Sequence, residues 1–288
     1  MSMSTVTLLT DFGLADGYAG IMHGVIRGIC PNVFIVNLTH QVPPQDVRSA
    51  AYLLYTAYPY FPTDTTHCIV VDPGVGTARR AVAVETHRGR FVAPDNGVLS
   101  YVLTREPVIT AVSLTDPRYH LSHVSQTFHG RDIFAPVTAH LACRVPLIDL
   151  GEPATKLTTF PVPGISATSG NMLAGQVIHV DRFGNLITSI GHLLWHGDEL
   201  LIQPAFPIPG REKEHPWPPS FSASKARIHV GGQLIKGIQP TYGAAPPGEL
   251  LALVGSVGHL EIALAGGNAA KVLDLGDGDQ VLLEVNER

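Results

Sequence analysis

Cysteine is scarce in this chain, with three residues in 288, at Cys30, Cys68 and Cys143. An odd, widely spaced set in apolar surroundings makes no disulfide framework and no C-x-x-C motif. Buried free thiols in a reducing compartment are therefore the expectation. Charge is sparse too, at 15% of residues, and neither half carries a basic stripe; with a net charge of −5 this argues against nucleic acid or an anionic membrane as partner. Nothing approaches the roughly 18 consecutive apolar residues of a membrane span. The opening Met-Ser-Met-Ser-Thr lacks the charged, apolar and cleavage regions of a secretion signal, so a cytoplasmic location is expected. Also missing are a G-x-G-x-x-G turn, a Walker A lysine and H-E-x-x-H. Ser113 and Ser122 lack a nucleophile-elbow setting.

Apolar residues, by contrast, are plentiful at 45%, enough for a sizeable core. The first half alternates strand and helix patterns. Strands are predicted at 5–10, 33–38, 67–72, 80–86, 90–93 and 108–113. Helices are predicted from Asp16, as N-cap, to Cys30, over 46–58, near 97–105 and near 131–143. Such alternation predicts a mainly parallel sheet flanked by helices, an α/β sandwich spanning residues 1–160. Prolines and a glycine at 161–164 open a linker over 161–171. Residues 172–288 then read as a smaller β-barrel domain without helices, its strands at 176–181, 185–190, 226–230, 250–254, 259–264, 271–274 and 280–284. The proline- and charge-rich stretch from Pro204 to Pro219 is expected to be a surface excursion.

Three polar clusters end predicted strands of the first domain: Asp11 before Phe12-Gly13, Asp72 before Pro73-Gly74, and Asp95-Asn96-Gly97. If those strands are parallel, all three share one edge of the sheet, the edge where open α/β sheets bind ligands. The Asp72 turn is the most informative, because glycines and a proline bend the chain and Arg79 follows. Thr127-Phe128-His129-Gly130-Arg131-Asp132 adds an imidazole between a loop and a helix start, with a glycine beside it. In the second domain Asp181-Arg182-Phe183-Gly184-Asn185 reads as a tight hairpin carrying a carboxylate, an aromatic face and an amide. Gly255-Ser256-Val257-Gly258 and Gly267-Asn268-Ala269 are loops that can bring backbone close to a flat ligand. Asp11, Asp72 and His129 could ligate a metal, but no second histidine stands in a ligand pattern, so no metal is assigned.

These motifs, in this order, resemble the S-adenosyl-L-methionine hydrolase (hydroxide adenosyltransferase) family, which is related to the fluorinases and chlorinases. The resemblance runs from about residue 5 to 285. It implies that water displaces methionine from the ribose C5′, with S-adenosylmethionine as substrate and no cofactor. It also implies a homotrimer with active sites at subunit interfaces. By the same resemblance Asp72, Arg79 and His129 are catalytic and Asp11 holds the ribose diol. Asp181 and Asn185 contact methionine and Phe183 packs near the adenosyl group. Ser256, Glu261, Asn268 and Ala269 supply further methionine and adenine contacts, while Asn96, Thr127, Phe128 and Gly130 line the site.

The halogenating relatives carry a tyrosine where Asp72 stands and a halide donor near Gly130. A carboxylate there would repel a halide by several kcal/mol at low effective dielectric, which favours water as the nucleophile. The sulfonium leaves as a neutral thioether, so the expected tasks are aligning a water with the C5′–S bond and accepting its proton. Asp72 and His129 both qualify as acceptor. The alternatives are a non-catalytic adenosine or S-adenosylmethionine binder, a metal-dependent phosphoesterase and a halogenase.

Overall fold

A computed structural model describes residues 3–168, 171–206 and 220–285 of the chain. The chain divides into two compact units, Met1–Pro161 and Val162–Arg288. The fold is mixed α/β, with two large sheets, one in each unit.

The first unit runs β1 (Thr5–Thr10), α1 (Tyr18–Ile29), β2 (Phe34–Thr39), α2 (Val47–Ala57), β3 (Thr66–Val70), β4 (Ala81–Thr86), β5 (Gly89–Pro94), α3 (Ser100–Arg105), β6 (Thr110–Ser113), α4 (Ala135–Ala142) and β7 (Glu152–Pro153). Its sheet has the order β2-β1-β3-β5-β4-β6-β7. The first four strands are parallel, and β4, β6 and β7 join as antiparallel neighbours. The central strands are buried on both faces, which is why they read as nearly unbroken apolar runs. Met22 and Ile26 of α1 join Val137 and Leu141 of α4 over Val6, Leu8, Val70 and Val92. On the other face Tyr58, just past α2, sets its ring 5.8 Å from Phe91.

Helix ends follow capping chemistry. Asp46 caps α2 by accepting from Ser49 N at 2.9 Å. The expected cap at Asp16 does not form: the helix starts later, with Gly17 at the N-cap and no side-chain cap. The helix expected at 131–143 is entered through a wide π-type turn, Gly130–Phe134. Pro136 has no N–H to give the Asp132 carbonyl four residues back, and that carbonyl accepts from Leu121 N at 2.9 Å instead.

Cys30 and Cys143 form a disulfide with Cα atoms 5.9 Å apart, leaving only Cys68 as a buried free thiol. This corrects the expectation of three free thiols. The two cysteines cap the C-termini of α1 and α4, helices that lie together over one face of the sheet. Their separation of 113 residues along the chain hid that proximity.

The second unit contains β8 (Ser166–Ala167), β9 (Met172–Val180), β10 (Leu186–Thr188), β11 (Leu193–His196), β12 (Glu199–Ile202), β13 (Ser220–Ser222), β14 (Arg227–Val230), β15 (Gln233–Lys236), β16 (Ile238–Gln239), β17 (Leu250–Val254), β18 (Leu260–Leu264), α5 (Ala269–Leu273) and β19 (Gln280–Glu284). One sheet runs β15-β14-β19-β9-β10-β18-β17-β16, with β8 added on β9, and β11, β12 and β13 form a second, small sheet. Because β15 comes back against β17, the large sheet is nearly closed, like a barrel, around Val177, Leu186, Ile228, Ile262 and Leu283.

Two expectations are corrected here. A helix, α5, stands where a strand over 271–274 was predicted, because the Asn268 side chain accepts from Lys271 N at 2.7 Å and starts a turn. A short strand, β8, lies in the stretch read as linker, paired with β9. Most of the Pro204–Pro219 stretch lies outside the described residues.

Candidate active site

Because β1, β3 and β5 are parallel, the segments that follow them emerge at one edge of the first sheet. Asp72 leaves β3 there and the chain turns at once, Val75 N donating to Asp72 O and Thr77 N to Gly74 O. The turn returns Arg79 onto Asp72. Nε donates to Oδ1 at 2.8 Å and Nη2 donates to Oδ2, a two-pronged pairing. The two side chains are only 5% and 10% exposed. Gly74 makes the return feasible, since a Cβ there would lie 3.0 Å from Arg79 Cγ.

The same Nη2 donates to His129 Nδ1 at 2.9 Å, and the guanidinium sits 5.2 Å from the Phe134 ring centre. Burial, then the Arg79 charge, hold the His129 pKa below the usual 6.5. Asp72, Asp132 and a backbone hydrogen bond with Ser125 oppose them and do not cancel them. Arginine has only donors, so Nδ1 must be the accepting nitrogen and the ring's own proton sits on Nε2. The sequence-predicted trio is thus one connected network.

The other predicted residues of this edge divide into two kinds. Asp11 stands outside that network, its Oδ2 accepting from Gln45 N at 2.8 Å. Phe128 packs against Phe12 and Tyr18 with ring centres 5.7 and 5.0 Å apart. Gly130 is wedged beside these rings, for a Cβ would lie 3.1 Å from both Phe12 and Phe128. Thr127 is exposed next to them. Asp95 serves the fold, pairing with Arg80 and accepting from Thr158 N at 2.7 Å. The Asn96 amide is engaged at both ends, donating to Val71 O at 2.9 Å and accepting from Val98 N at 3.2 Å. It therefore braces the residue before Asp72.

In the second unit the 181–185 hairpin is built on its own carboxylate. Asp181 Oδ1 accepts from Phe183 N and Asn185 N at 2.8 and 2.9 Å, and Oδ2 accepts from Asn185 Nδ2 at 2.9 Å. This bonding leaves Phe183 projecting, 74% exposed. Gly184 adopts φ +83°, and a Cβ there would lie 2.1 Å from Asn268 Cγ. The hairpin therefore abuts the N-cap of α5, where Ala269 is buried. Glu261 is buried at the adjoining strand, accepting from Tyr242 Oη, with its other oxygen against Gly255. Burial raises its pKa; the Tyr242 hydrogen bond lowers it and the Asp181 charge raises it further. Ser256 is exposed in the adjoining turn.

Sequence reasoning missed Gln45, Ser125 and Tyr242. Ser125 holds Asp132, and through it the His129 turn, by N–H and hydroxyl bonds of 2.8 and 2.7 Å. Only Gln45 had a local signal, the Pro43-Pro44 turn before the Asp46 cap. Among the described residues no three His, Cys, Asp or Glu side chains group as metal ligands. Nor, among the described residues, is any helix long and apolar enough to cross a membrane.

A strand-end carboxylate held by an arginine that also donates to a histidine lies, in the first unit, at the edge where open α/β sheets bind ligands. Family models described as the SAM hydroxide adenosyltransferase N-terminal and C-terminal domains match residues 6–151 and 175–282. The chain belongs to the SAM hydroxide adenosyltransferase family. It is 40% identical over 284 residues to the (R)-S-adenosyl-L-methionine hydrolase of Salinispora tropica, covering 96% of each chain. Identity to the hydrolase of the same name from Thermus thermophilus is 36% over 288 residues, 98% of this chain and 100% of that one. A fluorinase of Actinoplanes sp. matches at 28% over 211 residues, 64% of this chain and 71% of the relative. Among solved structures, an uncharacterized conserved protein from Thermotoga maritima superposes with a TM-score of 0.80 at 34% identity, covering 96% of this chain and 99% of that one.

Proposed function

We propose that this protein hydrolyses S-adenosyl-L-methionine to adenosine and L-methionine by in-line attack of water at the ribose C5′. The observation that carries the reading is the Asp72–Arg79–His129 network on the ligand-binding edge of the sheet. Full-length likeness to two hydrolases of that name supports it.

In this reading Asp72 accepts the proton of the attacking water. Its oxygens keep lone pairs beyond the two that Arg79 occupies, whereas the accepting nitrogen of His129 is already taken by Arg79. His129 and Arg79 then fix the direction of Asp72. A placed base is worth roughly 10²–10⁴-fold, and alignment of the water contributes more. Asp11 receives the ribose hydroxyls. Asp181 and Asn185 receive the methionine end, with Ser256, Glu261, Asn268 and Ala269 as further contacts. Asn96, Thr127, Phe128 and Gly130 shape the adenosyl side.

A homotrimer that holds substrate between subunits belongs to the same reading. The projecting Phe183 supports it, since an aromatic contact for the adenosyl group needs a covering partner. A solution mass three times that of the chain is the expected result. No cofactor is invoked, and turnover should survive EDTA.

Incubation in ¹⁸O-labelled water tests the chemistry. The label should appear in the adenosine 5′-oxygen; unlabelled adenosine, or intact S-adenosylmethionine bound without turnover, would overturn the reading. A halogenase is disfavoured by the carboxylate of Asp72, and a 5′-halogenated product in the presence of fluoride or chloride would restore it.

A further inference from the structure

One buried titratable group lies against the Asp11 segment without a part in the chemistry above. His40 follows β2 and is 4% exposed. Its Nδ1 is 2.9 Å from Thr10 Oγ1, and its Nε2 has no hydrogen-bond partner among the described residues. Thr10 Oγ1 also accepts the Phe12 N–H at 3.3 Å. The His40 carbonyl accepts the Gly13 N–H at 2.6 Å. Side chain and backbone of one residue thus grip the chain on both sides of Asp11.

A neutral ring and a protonated ring hold the Thr10 hydroxyl differently. In a neutral ring Nδ1 can accept the Thr10 hydroxyl proton while the same oxygen accepts the Phe12 N–H. A protonated ring has to donate at Nδ1. The hydroxyl would then accept from both Nδ1 and Phe12 N, and its own proton would have to turn to another acceptor. The other titratable groups nearby are His23 on α1, which bonds Asn37 Oδ1 at 2.8 Å, and Asp11 itself. Burial first, and then the His23 charge, keep the ring neutral by lowering its pKa from 6.5.

We propose that His40 is a positioning residue for the ribose site: through the Thr10 hydroxyl and the Gly13 N–H it sets the direction of the Asp11 carboxylate and hence the affinity for the ribose diol. The inference rests on the reading of Asp11 as the diol acceptor. Gln45 completes the cradle, its backbone held at φ +66° while its N–H donates to Asp11 Oδ2.

The test compares adenosine binding by calorimetry and steady-state kinetics for wild type, Asp11→Ala, His40→Ala and His40→Asn. Asparagine can accept from Thr10 through Oδ1 but has no proton to gain. His40→Ala should raise KM and the adenosine Kd about tenfold, the scale of one lost hydrogen bond, with kcat within about twofold. His40→Asn should restore both to within about threefold and remove the acid-side rise in KM expected of wild type once pH falls through the lowered His40 pKa. The proposal is overturned if His40→Ala leaves Kd unchanged, or if the acid-side rise in KM persists in His40→Asn, while Asp11→Ala loses binding. Normal adenosine binding by Asp11→Ala would instead overturn the ribose reading, and this inference with it. If His40→Ala fails to fold, His40→Asn and its pH profile decide the matter alone.

Discussion

Arg79 donates to His129 Nδ1 at 2.9 Å through the same Nη2 that binds Asp72. Protonating the imidazole at Nδ1 would break that bond and set two cations against each other, which is why Arg79 contributes to the low His129 pKa. The working state therefore contains neutral His129. Turnover should be full above pH 6.5 and fall as pH drops through the lowered value. A pH profile of kcat/KM checks this, and an acid limb that begins above pH 6.5 would contradict it.

Asp72→Asn keeps the size of the side chain and removes its basicity. Adenosine release should fall by roughly 10²–10⁴-fold while adenosine binding changes little. Near-normal turnover would remove Asp72 from the chemistry.

Gly184→Ala places a methyl group where Asn268 stands, at a backbone φ of +83° that disfavours any side chain. Tm should fall by an amount equivalent to about 1–3 kcal/mol, the usual cost of overpacking. KM should rise, because Asn268 caps the helix that carries Ala269. Unchanged melting and KM would show that the two loops yield freely.

His67 is buried against Thr7 Oγ1 at 2.8 Å, and burial brings its pKa down to about 4. Below pH 6.5 the unfolded chain binds this proton and the folded chain does not. Stability should thus be complete above 6.5 and decline as pH falls towards 4, by roughly 3 kcal/mol from this residue. Thermal unfolding across that range measures the decline, which should be shallower in His67→Asn.

The Cys30–Cys143 bridge closes a long loop, and Cys143 is exposed to reductant. Loss of such a link typically costs about 2–4 kcal/mol. Cys143→Ser, or treatment with a dithiol, should lower Tm in calorimetry. Identical melting in both states would mean that α1 and α4 hold together without the bond.

What could be read from sequence was local. Apolar runs ending in Asp11, Asp72 and Asp95 mark strands, and their common direction puts all three at one edge. The glycine turn after Asp72 announces the return of Arg79. The structural role of Asp95 was not legible because its partners come from elsewhere: Arg80 fifteen residues away and the Thr158 amide sixty-three away. The helix at 269–273 looked like a strand because five apolar-rich residues carry no clear period, and only the Asn268 cap decides. Tyr242 and the cysteine pair act through contacts between separate segments, which no short window along the chain contains.

The wide turn at Gly130–Phe134 holds one residue more than a regular helical turn needs. Deleting a single position there would let α4 continue in ordinary register while swinging the preceding segment by about 100° around the helix axis. His129 would then leave Arg79, although the buried flank of α4 would stay seated on the sheet. The bulge therefore sets the aim of the imidazole separately from the seating of the helix beneath it.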